Sequence, residues 1–346
     1  MAFSNRTGLI AKGLLAAAWV SLFGMISPSQ AHVKWFAPYL VAQQPIPLHH
    51  VIDMQFILLN VLAISALLLG AAIEYTAFGK ALLGAFDSVT SIIQRESDKL
   101  VRAVLGGFLI SLWAHGGIIL TPELKTTWSF ISWLQLAMAV SLIWEETMIF
   151  AAAGIFFLYG YALTKYSVFH LLDYPIFLGL AIFIGAKSLK RKVFGLEPLD
   201  VARWLTGLTL LWASIEKFAY PEWSYPLAVT HPGLTFGFSR GFFMCAAGVV
   251  EFALAFSLLW TPLVRRVGAT ILIGMFTSAV VPFGKIDAIG HSCIIVLLMV
   301  IVSDQRQEAL KPLGFLRVGL QYAMALLAYV GVYYGLHAAI YGTEIM

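Results

Sequence analysis

Charge is scarce in this chain. Asp, Glu, Lys and Arg make up 12% of its 346 residues, against 60% hydrophobic residues. A soluble domain carries about 25% charged residues, so an ordinary water-soluble globule is excluded. The net charge of +4 calls for no nucleic acid, because the cytoplasmic loops of membrane proteins are routinely basic. Cysteine is scarcer still. Cys245 and Cys293 both fall in apolar runs and read as small packing residues, not as a disulfide framework. There is no Cys-x-x-Cys pair, no haem-type Cys-x-x-Cys-His, no Gly-rich phosphate loop and no serine nucleophile elbow. The methionines are scattered, which argues against a copper path built on thioethers.

Long apolar runs are abundant. Repeated stretches of about 17–25 such residues predict an all-α polytopic membrane protein. Residues 1–31 read as a secretory signal peptide, with Arg6 and Lys12, then GLLAAAWVSLFGM, then Ser-Gln-Ala ending at Ala31. Cleavage would leave His32 at the head of a periplasmic segment, 32–50. A terminal histidine joins an amine to an imidazole, a good copper chelate, although some residue must follow any cleavage site.

The unit 51–98 pairs a first span, Val51–Ile73, with a helix over 76–98. In that helix Phe78, Leu82, Phe86, Val89 and Ile93 recur at helical spacing among Lys80, Asp87, Arg95 and Glu96. This is the pattern of an interfacial amphipathic helix on the cytoplasmic side. Four spans are expected in 99–192, namely Leu100–Leu120, Trp128–Trp144, Thr147–Thr164 and Phe169–Ala186, closed by the basic run 187–192. Four more are expected in 199–304, namely Val201–Phe218, Gly241–Trp260, Val267–Phe283 and Ile286–Val302. The last, Leu316–Tyr341, lies in 314–346. The expectation is therefore about ten transmembrane helices after the signal peptide. Lys80, Lys99, Lys187, Lys192, Arg265 and Arg306 collect on one side. The positive-inside rule then places both mature termini in the periplasm, for a bacterial inner-membrane protein.

The two four-helix blocks resemble each other. QLAMAVSLIW at Gln135–Trp144 matches EFALAFSLLW at Glu251–Trp260 without a gap. Upstream, Arg102 and Gly106 parallel Arg203 and Gly207, which sets His115 opposite Glu216. Downstream, Gly154 and Lys165 parallel Gly274 and Lys285, and a one-residue slip sets His170 against His291. Shared order and spacing across three helices point to an internal duplication.

The second block also resembles the DoxX-like family, small four-helix membrane proteins associated with quinone-linked redox complexes. The resemblance rests on Arg203, Gly207 and Lys217 of its first helix, Ala246-Ala247 ahead of Glu251 on its second, and His291 on its last. It extends weakly over 99–187, which departs from the pattern with Gln135 in the Glu position and no Lys after His115. The signal peptide, the first span and the last span fall outside it. The resemblance implies two DoxX-like four-helix repeats and, for function, association with a quinone or a redox partner subunit.

The ionisable residues inside apolar runs are the functional candidates. A mid-bilayer carboxylate costs about 2.5–3.5 kcal/mol on insertion scales and rarely faces lipid. Glu251 is therefore expected to face inward, and Lys217, His291 and Asp287 to converge with it on one polar cavity open to the periplasm. These four are the catalytic candidates; Glu216 and Lys217 equally suit snorkelling anchors. All eight histidines fall at or near the outer face. Asp287 and His291 are spaced i,i+4, and His170 and Asp173 i,i+3, so each pair shares a helix face. His32, His115, His170, Asp173 and His291 are thus candidate ligands for a transition metal such as copper. The same spacing also suits a His–Asp pair that satisfies itself. The aromatic stretch Phe218–Phe238 reads either as an interfacial belt or as a lid over the second block.

Three functional readings follow: a redox-associated protein working with quinone or a periplasmic-face metal, a proton-coupled transporter or metal-handling permease using Glu251, and a membrane anchor for a periplasmic partner. The lipid bilayer is the partner common to all three.

Overall fold

The computed structural model describes residues 33–306 and 316–345. The expected signal peptide, 1–31, and His32 lie outside the described residues. Every regular element within them is helical, and no strand forms. The main helices are α1 (Met54–Glu74), α2 (Ala77–Arg95), α3 (Ser97–His115), α4 (Ser129–Ser141) and α5 (Met148–Leu163). They are followed by α6 (Pro175–Ser188), α7 (Pro198–Ala219), α8 (Arg240–Ser257), α9 (Pro262–Ser303) and α10 (Arg317–Tyr341). Their starts follow from local chemistry. Asp53, Thr76 and Ser239 accept hydrogen bonds from the backbone N–H groups of Phe56, Gly79 and Phe242, capping α1, α2 and α8. Pro175, Pro198 and Pro262 open α6, α7 and α9 at the position where a missing N–H costs nothing.

The outward face of the molecule is apolar. Met54, Ile57, Leu58, Val61, Leu62 and Leu69 face out along α1, and Leu320, Met324 and Leu327 along α10. That is a helical stripe turned toward the surroundings instead of a core, as lipid-facing helices require.

The expected count of ten spans is not met. Among the described residues, α1, α8, α9 and α10 are long and apolar enough to cross a membrane. Helices α4, α5 and α6 have 13, 16 and 14 residues, or about 20–24 Å of rise against a hydrocarbon core of about 30 Å. Helices α3 and α7 are long enough but carry Asp98, Lys99 and Arg102, and Asp200, Arg203, Glu216 and Lys217, respectively.

The boundaries also move. The span expected over Leu100–Leu120 stops at His115, where Gly116 and Gly117 take positive φ of 71° and 70°. The stretch expected over Phe169–Ala186 breaks into a one-turn helix, Val168–Leu171, and α6. The two spans expected at Val267–Phe283 and Ile286–Val302 are two helical arms, labelled together as α9, that part between those residues. Pro282 removes a ladder N–H, and Gly284 sits at φ 73°, ψ −149°, outside helical space. Phe276 and His291, on opposite arms, meet with ring centroids 4.8 Å apart, whereas a straight helix would separate their positions by about 22 Å. In α2, expected as an interfacial amphipathic helix, Gly79, Leu83, Phe86 and Thr90 face inward, while Phe78 and Val89 face out.

Helix α3 packs on α4 as α7 packs on α8, and α6 lies against α7 while α9 lies against α3. The last helix of each block thus rests on the first helix of the other. Gln135 and Glu251, matched in the repeat, are both buried.

Candidate functional site

The N-terminal segment carries a charge into the interior. Lys34 lies in a turn of 3₁₀ helix, Val33–Trp35, and is 6% exposed. Its Nζ is ion-paired with both Asp173 and Glu216, and stands 5.6 Å and 5.8 Å from the ring centroids of Tyr39 and Trp223. Asp173 comes from the turn before α6 and Glu216 from the last turn of α7.

A third carboxylate reaches the same place by an irregular route. After Gly116-Gly117 the chain folds inward, burying Ile119, Leu120 and Leu124. A buried loop needs partners for its backbone. Gln135 supplies two, its side-chain amide donating to the carbonyls of Ile118 and Ile119 at 2.7 and 2.8 Å. The loop delivers Glu123, whose Oε1 stands 2.7 Å from His170 Nε2 and also accepts from the Tyr174 hydroxyl. Oε2 of Glu123 and Oδ1 of Asp173 are buried with no hydrogen-bond partner. Burial pushes the Glu123 pKa up, but the His170 hydrogen bond and the Lys34 charge outweigh it and hold the group below the usual range. Burial likewise works against the Lys34 charge; Asp173, Glu216 and Glu123 outweigh it and hold the ammonium well above the ordinary lysine value.

Beside this cluster, Lys217 of α7 is ion-paired with Glu251 of α8. On the second arm of α9, His291 Nδ1 lies 3.1 Å from Asp287 Oδ2, and the Trp35 ring sits 4.8 Å from the His291 ring. Asp173, Glu216, Lys217, Glu251 and His291 all line one cavity of about 60 Å³, and fully buried Asp287 stands behind His291.

Of the residues singled out in the sequence, Glu251, Lys217 and His291 thus meet on one cavity with Asp287 beside His291. His170 and Asp173 meet as well, in the company of Glu123. His115 stands apart; it is exposed on the rim of a separate pocket, 3.2 Å from its own neighbour's carbonyl at Gly116. His32 is outside the described residues. Sequence reasoning missed Lys34, Glu123 and the inward role of Glu216. The Gly116-Gly117 pair was the available signal for Glu123, since two glycines end a helix and free the chain to turn inward.

No protein-family model matches the chain, and no curated protein and no solved structure matches it.

The N-terminal segment closes the cavity from above. Gln43 holds Trp223 and Glu222 at 3.3 and 3.2 Å and accepts the Tyr220 hydroxyl at its carbonyl, 3.0 Å. His337 Nε2 lies 2.7 Å from the carbonyl of Val41. Under Trp35, a side chain at Gly290 would overlap the indole ring. The aromatic stretch expected as a belt or lid contributes Tyr220 and Trp223 to the cavity wall.

Proposed function

We propose that this is an integral membrane protein that takes cations, protons included, into a buried carboxylate cavity, with Glu251 as the coupling carboxylate. One observation carries the reading. Three carboxylates gather in one buried setting, Asp173 and Glu216 on the Lys34 ammonium and Glu123 on the His170 imidazole. An uncompensated buried carboxylate is costly, so the excess charge calls for protons or a cation. The Lys217–Glu251 pair on the same cavity gives a carboxylate that can exchange its cationic partner. The redox-associated reading keeps the support of the DoxX-like positions, because Lys217, Glu251 and His291 all line this cavity. Its volume, about 60 Å³, holds an ion or a few waters.

The basic residues Lys187, Lys190, Arg191 and Lys192 lie at the end of α6, and the cavity lies near its start. The positive-inside rule then sets the cavity toward the periplasm of a bacterial inner membrane. Cation and proton uptake into proteoliposomes tests the reading. Wild-type protein should support uptake, and Glu251→Gln should lose at least about 90% of it while folding normally, as expected for a charge acting in the exchange itself. Equal uptake by both proteins would overturn the assignment of Glu251.

A further inference from the structure

We propose that Glu123, His170 and Asp173 form a site for a divalent cation of the zinc or manganese class, with the Lys34 ammonium as a tethered competitor for it. The inference rests on the cation reading above and names its substrate class. One donor atom from each of the three residues lies within 4.8 Å of the others. Three donors sharing one ion at about 2.0–2.2 Å in tetrahedral geometry stand about 3.3–3.6 Å apart, so the widest pair closes by up to about 1.5 Å on binding, a side-chain rotation within the site. The donors are two carboxylates and an imidazole, which suit borderline and hard divalent ions; the cluster lacks the thiolate or thioether that would select Cu(I).

The second, independent sign of a ligand is the pair of orphaned oxygens. Glu123 Oε2 and Asp173 Oδ1 are buried without hydrogen-bond partners, and Asp173 lines the cavity at 1% exposure. A buried carboxylate oxygen left without a donor is costly, and a metal ion satisfies it at once. Today's partners are replaceable ones. His170 Nε2 shares a hydrogen bond with Glu123, and once that bond is released the nitrogen can turn its lone pair to an ion. Lys34 holds Asp173 from a segment whose described residues, 33–53, form only one-turn helices. A divalent ion arriving between Glu123 and Asp173 would repel the ammonium. Lys34 would then leave with Val33 and Trp35, uncovering the His291 side of the cavity. The N-terminal segment thereby becomes a cover that opens on cation binding.

The test is calorimetric titration of the detergent-purified full chain with zinc sulfate and, separately, manganese chloride. The expected result is one ion per chain, with Glu123→Gln and Asp173→Asn each weakening binding at least about tenfold. Lys34→Met should tighten binding by about tenfold or more, because a like charge beside the ion is gone. Should Lys34→Met fail to fold, acylation of Lys34 in the wild-type protein is followed by mass spectrometry with and without metal. Labelling that rises on metal addition supports displacement, and labelling that does not change overturns it. Binding that survives both carboxylate substitutions, or an absence of binding in wild type, overturns the site. Proton uptake that persists without metal binding would sink this inference alone. Loss of uptake and binding together would sink the cation reading as well.

Discussion

At the scale of single residues, Lys217 and Glu251 should behave unequally when removed. Glu251→Gln keeps an oxygen that Lys217 can donate to, and Gln135 already occupies the matching buried position of the first block. Lys217→Met instead leaves Glu251 as a buried carboxylate without its cation, which costs about 3–5 kcal/mol. Thermal melts in detergent should therefore show Lys217→Met far less stable than Glu251→Gln; equal losses would mean that the pair does not hold the fold. The pair was legible in the sequence because a carboxylate in mid-helix demands a partner. Lys34 was not, since a lysine in a short irregular segment gives no periodic signal, and its bond to Asp173 spans 139 residues. Glu123 was hidden in the same way, 47 residues from His170, on a loop between two expected spans. Burial of that loop depends on Gln135, whose amide reads in the sequence only as a departure from the Glu of the second block.

At the scale of elements, the end of the bundle opposite the cavity is closed by a second ionic cluster. Arg265 reaches Asp304 at 3.3 Å, Arg306 reaches Asp304 and Asp200 at 2.8 Å each, and Arg266 reaches Asp87 at 2.6 Å. These bonds tie α2, α7 and both ends of α9 together. Burial pushes the Asp304 carboxyl up, but Arg306 and Arg265 outweigh it and hold the pKa below the usual 3.8. A folded-state pKa below the unfolded one means stabilisation that is complete above about pH 4 and fades as pH falls through the folded value. Asp304→Asn should cost about 3 kcal/mol at neutral pH, and the gap from wild type should close on acidification below pH 4. A gap independent of pH would show that the carboxylate charge is not what matters. The two arms of α9 were legible as two spans, and Pro282 with Gly284 turns one into the other. At the cavity end, Gly290→Val would push Trp35 away, because any side chain there overlaps the indole. Limited proteolysis should then cut within 33–50 at least about tenfold faster, as expected when docking contacts of a segment are lost. An unchanged cutting rate would mean that Trp35 does not anchor the segment.

At the scale of the whole molecule, composition and the apolar outer face agree on an all-helical membrane protein, and the two blocks meet through α6 on α7 and α9 on α3. The number of crossings was less legible, because apolar runs of similar composition fold here into helices of 13 to 25 residues. Short helices such as α4 and α6 gain their stability from neighbours, which no window of hydropathy measures. Each end carries its own ionic cluster, Arg265, Arg266 and Arg306 with Asp87, Asp200 and Asp304 at one, and Lys34 and Lys217 with Asp173, Glu216 and Glu251 at the other. The most direct measurement is anomalous scattering from crystals of the protein grown with manganese chloride. The account predicts a manganese peak among Glu123, His170 and Asp173, with Lys34 withdrawn from Asp173. A cavity without manganese and with Lys34 still on Asp173, or a peak confined to Asp200 and Asp304 at the opposite end, would contradict it.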